Sequence, residues 1–138
     1  MTRKRVLLVD DEEELLKAMR IRLVSWGYDV VTATSGEEAI RIAKKIKGEL
    51  DAIILDIMMP GIDGIEVLRR IRRFDKKIPV LMLTAYTSEE GVKKTDTFGI
   101  SGFIPKGAEC GEPSNILRVA LKGAKKAVRR KSKREELI

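Results

Sequence analysis

Four consecutive apolar residues, Ala52–Leu55, run directly into a carboxylate, Asp56, and the chain is broken soon afterwards at Pro60-Gly61. A short run with no polar member reads as a strand buried on both faces, and only a sheet covered on both sides can hold one. Such sheets are parallel, their strands joined by helical crossovers. Every strand then delivers its C-terminal end to one edge, where ligands bind. An acid at that position is a site candidate, and the other strand ends become the informative residues.

The chain supplies them in alternation. Arg5–Asp10 reads as a first strand, closing in Asp10-Asp11-Glu12-Glu13-Glu14, acids suited to the positive N-terminus of a following helix. Leu16, Met19 and Leu23 give that helix its apolar stripe, and Gly27 stops it. Asp29–Ala33 is a β-branched second strand. Ser35 and Glu38 form a capping-box pattern before the stripe Ala39, Ile42, Ala43 and Ile46, which ends at Gly48. A helix over Gly64–Phe74 turns Val67, Leu68 and Ile71 inward, and Pro79 introduces a fourth strand, Val80–Thr84. Between Ser88 and Phe98 the helical signal is weak, broken by Gly91, Thr95 and Thr97. Gly102–Pro105 is the fifth strand, placed at the sheet edge because Pro105 cannot donate a ladder bond. Pro113 to about Arg134 repeats Ile116, Leu117, Ala120, Leu121, Ala124 and Val128, a long amphipathic helix. The pattern predicts a doubly wound α/β domain, a five-stranded parallel sheet with helices on both faces. Residues 1–122 form the domain and 123–138 a basic extension of its last helix.

With strand order 2-1-3-4-5, one crevice gathers Asp10 and Asp11 from strand one, Asp56 from strand three and Thr84 from strand four, and strand five leads into Lys106. Carboxylates that close need protonation or a compensating cation, and a hard divalent ion with oxygen ligands, Mg²⁺, is the natural one. The cluster disfavours direct phosphate binding, for which nucleotide folds offer glycine-rich amides. With the metal present phosphoryl transfer becomes reasonable: the ion and Lys106 neutralise the transferring oxygens, Thr84 hydrogen-bonds one, and Asp56 attacks as nucleophile.

Composition narrows the chemistry further. The chain has 138 residues, one cysteine and no histidine. Cys110 can form no internal disulfide, and a histidine base, histidine ligand or phosphohistidine within the chain is excluded. No apolar run reaches the roughly 20 residues of a membrane span, and Thr2-Arg3-Lys4-Arg5 leads into too short a run for a signal peptide; a cytoplasmic protein is expected. From Lys122 onward eight basic residues face two acids, so the tail carries +6 of the net +7. The body is near neutral. With no helix-turn-helix or aromatic platform beside that charge, a solvated extension or the start of a linker is expected, and nucleic acid is disfavoured as a partner of this chain alone.

The combination VDDE, LDIMMPGIDG, MLTAY and FIPK, at these spacings over about Lys4 to Leu121, resembles the receiver domains of two-component response regulators, which are flavodoxin-like in fold. The resemblance implies that Asp56 is the phosphoacceptor, and that Asp10, Asp11, Asp56 and the carbonyl of Met58 hold Mg²⁺. It implies that Thr84 and Lys106 contact the phosphoryl group, and that Phe103 is the switch aromatic. The donor would be a sensor histidine kinase or phosphotransfer protein. The surface of the fourth helix, fifth strand and fifth helix would switch, toward an unknown downstream protein or as a homodimer contact. Catalysis would be confined to the chain's own phosphorylation and dephosphorylation. Alternatives are a degenerate receiver serving as a constitutive binding surface, or a Mg²⁺-dependent aspartyl phosphatase. Two features depart from the family pattern. Gly107 stands where proline commonly follows the lysine, so the Lys106-Gly107 bond is expected trans, a non-proline cis bond costing about 2.5–4 kcal/mol. Met58 and Tyr86, at positions flanking the attacking water, predict slow self-dephosphorylation.

Overall fold

A computed structural model describes residues 3–84, 99, 100 and 102–105. The expected helices over 88–98 and 113–134, Tyr86, Lys106 and the Lys106-Gly107 bond lie outside them, as do the side chains of Thr84 and Phe103. The order is β1 (Arg5–Val9), α1 (Glu13–Ser25), β2 (Asp29–Ala33), α2 (Gly36–Lys45), β3 (Ala52–Asp56), α3 (Gly64–Phe74), β4 (Val80–Thr84) and β5 (Gly102–Pro105). The strands form one sheet in the order β2-β1-β3-β4-β5, each neighbouring pair parallel. The doubly wound α/β architecture read from the sequence is therefore the one observed, with Pro105 on the edge strand. Among the described residues no helix is long and apolar enough to cross a membrane.

Strand residues divide by parity, as a period of two requires. Leu7, Val9, Ile53, Leu55, Val80 and Met82 pack on one side with Ala39 and Ala43 of α2 and Val67, Leu68 and Ile71 of α3. Val6, Leu8, Ala52, Ile54, Leu81 and Leu83 pack on the other with Leu16 and Leu23 of α1. Both sides of β3 are sealed. That is why its sequence is an unbroken apolar run.

Local chemistry sets the helix ends. The Ser35 hydroxyl accepts from the N–H of Glu38 at 3.2 Å, one half of the expected capping box. The return arm differs: the Glu38 carboxylate accepts from the N–H and hydroxyl of Thr34, both at 3.4 Å, one residue before the cap. Asp63 caps α3 by accepting from the N–H of Glu66 at 2.9 Å. At the far end of α3 the Arg72 guanidinium donates to the carbonyls of Asp75, Ile78 and Gly99 at 3.2, 2.8 and 3.1 Å. One cation thus satisfies three main-chain acceptors between α3, β4 and the approach to β5, and its partial burial lowers its pKa.

Candidate functional site

The site begins where the apolar strands run out. β1 ends at Val9, one residue earlier than the apolar pattern indicated, because the Asp10 carboxylate turns the chain by accepting from the N–H of Glu12 at 3.0 Å. β3 ends in Asp56 itself, whose Oδ1 accepts from the N–H of Met58 at 3.1 Å. The same two-residue turn closes both strands and holds each carboxylate against its own backbone. Val9 is level with Leu55 across the sheet, so Asp10 and Asp56 leave adjacent strands side by side.

Asp10 and Asp56 are each 1% exposed, whereas Asp11 is half-buried. One carboxylate oxygen from each of the three lies within 4.8 Å of the others. Among the described residues no other group of three such side chains converges in this way. Two buried acids and a third at their side, all oxygen donors, form a set suited to a hard divalent cation and unsuited to a soft one. The acids of the helix first turns, Glu13, Glu14, Glu37, Glu38 and Glu66, lie toward the same edge, because every crossover helix starts there. The field at the crevice favours a cation and opposes a bare phosphate.

Of the remaining candidates, the main chain of Thr84 and that of Met58 reach the same edge, and that of Phe103 does not. Thr84 is the last residue of β4, one past Leu83, which is level with Asp56; Pro105, the last residue of β5, is level with Thr84. Phe103 is level with Met82 inside the sheet. Met58 lies in the loop after β3 with its side chain 59% exposed, beside the mouth of the crevice.

Met59 of that loop and Gly64 at the start of α3 matter more than their sequence suggested. Met59 is buried in the α2–α3 core and anchors the loop from below. Gly64, read only as a helix start, donates its N–H to the Ile57 carbonyl at 2.8 Å, and a Cβ there would lie 2.7 Å from the Ile57 Cα and closer still to the Asp56 carbonyl. The available signal was a glycine in the first turn of α3, where helix propensity would favour almost any other residue.

Comparison with known proteins agrees with this arrangement. The family model for the response regulator receiver domain matches residues 6–137. The chain is 45% identical over 86 residues to the alkaline phosphatase synthesis transcriptional regulatory protein PhoP of Bacillus subtilis, covering 62% of this chain and 35% of that protein. It is 38% identical over 127 residues to the probable transcriptional regulator ycf27 of Cyanidium caldarium, covering 87% of this chain and 49% of that protein. It thus spans between a third and a half of the length of these relatives. Among solved structures, the chemotaxis protein CheY4 of Vibrio cholerae superposes with a TM-score of 0.78 at 32% identity, covering 88% of this chain and 98% of that one. A CheX–CheY–BeF3–Mg²⁺ complex from Borrelia burgdorferi gives 0.79 at 34% identity, covering 83% and 86%. With its sheet order, its acidic crevice and a family match over nearly its whole length, this chain belongs to the response regulator receiver domain family of two-component systems.

Proposed function

We propose that the chain is a phosphoacceptor switch in which Asp56 takes a phosphoryl group from a phosphohistidine on a sensor kinase or phosphotransfer protein. A carboxylate oxygen of Asp56 attacks phosphorus, the P–N bond breaks, the imidazole leaves with the bond's electron pair, and an aspartyl phosphate remains. The observation that carries this is the convergence of Asp10, Asp11 and Asp56, with Asp56 held by the Met58 N–H at 3.1 Å. That bond fixes the carboxylate's orientation before the donor arrives, and positioning is most of what such a transfer asks of the protein.

Asp10, Asp11, Asp56 and the Met58 carbonyl are the groups that would hold Mg²⁺, and the all-oxygen donor set fits that ion. Bound there, it supplies positive charge against the phosphoryl oxygens. Thr84 and Lys106 contact the phosphoryl group, Thr84 by hydrogen bond and Lys106 by charge. When Thr84 moves toward the phosphate, Phe103 turns into the space it leaves, and the surface around β5 and its flanking helices changes for a downstream partner or a second copy of the chain. The phosphatase reading is weaker because Met58 stands two residues after the nucleophile, where an acid would protonate a leaving group.

The test is intact mass after incubation with a small phosphodonor and Mg²⁺. The parent gains one phosphoryl group and Asp56→Ala gains none. Equal gain by both, or none by the parent, overturns the proposal.

A further inference from the structure

Near-neutral net charge in the body of this chain conceals two opposite poles. The crossover helices α2 and α3 both start at the edge bearing Asp56 and end at the opposite edge. Basic residues collect at that opposite rim: Lys44, Lys45 and Lys47 at the end of α2, Arg73, Lys76 and Lys77 at the end of α3. All six are exposed, and none is in an ion pair among the described residues. The two helices pack against each other on one side of the sheet, so their ends form one continuous surface.

Compensation of the helix dipole accounts for Lys44, Lys45 and Arg73, which occupy the last turns. It does not account for Lys47, Lys76 and Lys77, which follow the helix ends. Nearby acids are already engaged. Asp51 lies 3.6 Å from the Lys4 ammonium and accepts from the N–H of Arg5 at 2.7 Å, while Asp75 accepts from the N–H groups of Lys77 and Ile78 at 3.2 and 3.1 Å. Hydrogen bonds from N–H groups leave Asp75 charged, so Asp75 and Glu49 stand as two acids on this stretch against six cations, and the rim remains strongly positive.

We infer that the rim formed by the ends of α2 and α3 docks the phosphate backbone of a nucleic-acid duplex, without reading its sequence. Among the described residues the surface has charge and no apolar anchor, since the exposed large hydrophobic residues there, Ile21, Val24 and Met58, lie on α1 and in the loop beside the crevice. A protein partner would need a desolvated aromatic or aliphatic centre, and a membrane would need residues to insert. A polyphosphate backbone needs neither, because release of its condensed counterions drives the binding. The acidic crevice at the opposite pole faces away from the duplex and stays open to a phosphodonor.

The experiment uses the full chain and a labelled duplex DNA of arbitrary sequence, titrated by fluorescence anisotropy across a salt series. The parent's affinity should fall with salt at a log–log slope of up to about −5, one increment of roughly −0.9 per phosphate neutralised. Changing Lys44, Lys45, Lys47, Arg73, Lys76 and Lys77 to Gln should weaken binding at least tenfold and flatten the slope, with thermal unfolding and phosphorylation by a small donor kept as controls of folding. Changing Lys125, Lys126, Arg129 and Arg130 of the tail to Gln should leave most of the affinity. Parent-like binding by the six-site variant overturns the inference. So does tighter binding of polyglutamate or of anionic vesicles than of the duplex.

Discussion

Gly64 lies so close to Asp56 that the space beside the Asp56 carbonyl admits no side chain at position 64. The contact is with backbone, so no rotamer change can relieve it. Gly64→Ala should therefore push α3 away from the end of β3, at a cost of about 1–3 kcal/mol typical of overpacking. Denaturant unfolding measures the loss. Because the contact is with the main chain of Asp56 itself, the rate of phosphorylation by a small donor should fall with it, whereas a purely structural glycine would leave that rate unchanged.

The crowding of Asp10, Asp11 and Asp56 gives a prediction about metal. Without a divalent ion the three carboxylates repel one another, and Asp10→Asn removes one charge while its amide oxygen can still accept from the Glu12 N–H. In chelator the variant should melt higher than the parent. Added Mg²⁺ should raise the parent's melting temperature, by about 2.7 kcal/mol of stabilisation at a hundredfold excess over Kd. The variant should gain little from Mg²⁺. A parent that melts identically with Mg²⁺ and with chelator would exclude these residues as a cation site.

Glu66 accepts from Arg69 at 2.7 and 2.6 Å and from Arg70 at 3.0 Å, and these hydrogen bonds lower its pKa from 4.5 to about 2. The folded-state value lies below the unfolded one, so the contribution is complete above pH 4.5 and disappears as pH falls from there through about 2. The side-chain resonance of Glu66 should titrate near 2 in the parent and return toward 4.5 when Arg69 and Arg70 are both changed to Gln. All three side chains are exposed enough for added salt to weaken the effect.

Self-dephosphorylation should be slow because an apolar Met58 stands beside the crevice and Tyr86 follows two residues after Thr84. Met58→Ala and Tyr86→Ala should each shorten the lifetime of the aspartyl phosphate severalfold, followed by intact mass after donor removal. Unchanged lifetimes in both variants would mean that neither side chain obstructs the attacking water.

Much of this was readable before any coordinates. β3 and β4 are apolar on both faces, which only a covered parallel sheet accommodates, and the strand order then forces Asp10 beside Asp56. The stripes of α2 and α3 were visible for the same reason, since Ala39, Ala43, Val67, Leu68 and Ile71 repeat at helical spacing. What stayed hidden depends on direction and distance, neither of which a string of letters carries. Met59 sits in a loop without periodicity, and Arg72 looks like any other basic residue of Arg69-Arg70-Ile71-Arg72-Arg73 until three carbonyls surround it. A net charge count could not reveal the two poles, because opposite charges cancel in a sum whichever edge they occupy.

The pairing of Val9 with Leu55 has a further consequence for how the chain finds its fold. A sheet greasy on both sides gives burial little power to choose among neighbouring alignments, since a shift of one residue exchanges one aliphatic side chain for another. Asp10 and Asp56 remove that freedom. Sliding β1 either way would drag an ionised group between hydrocarbon walls or leave it stranded from its companion, so the two acids behave as end stops that lock the strands in step. The chemistry of the crevice and the proofreading of the sheet are then the work of the same pair of side chains.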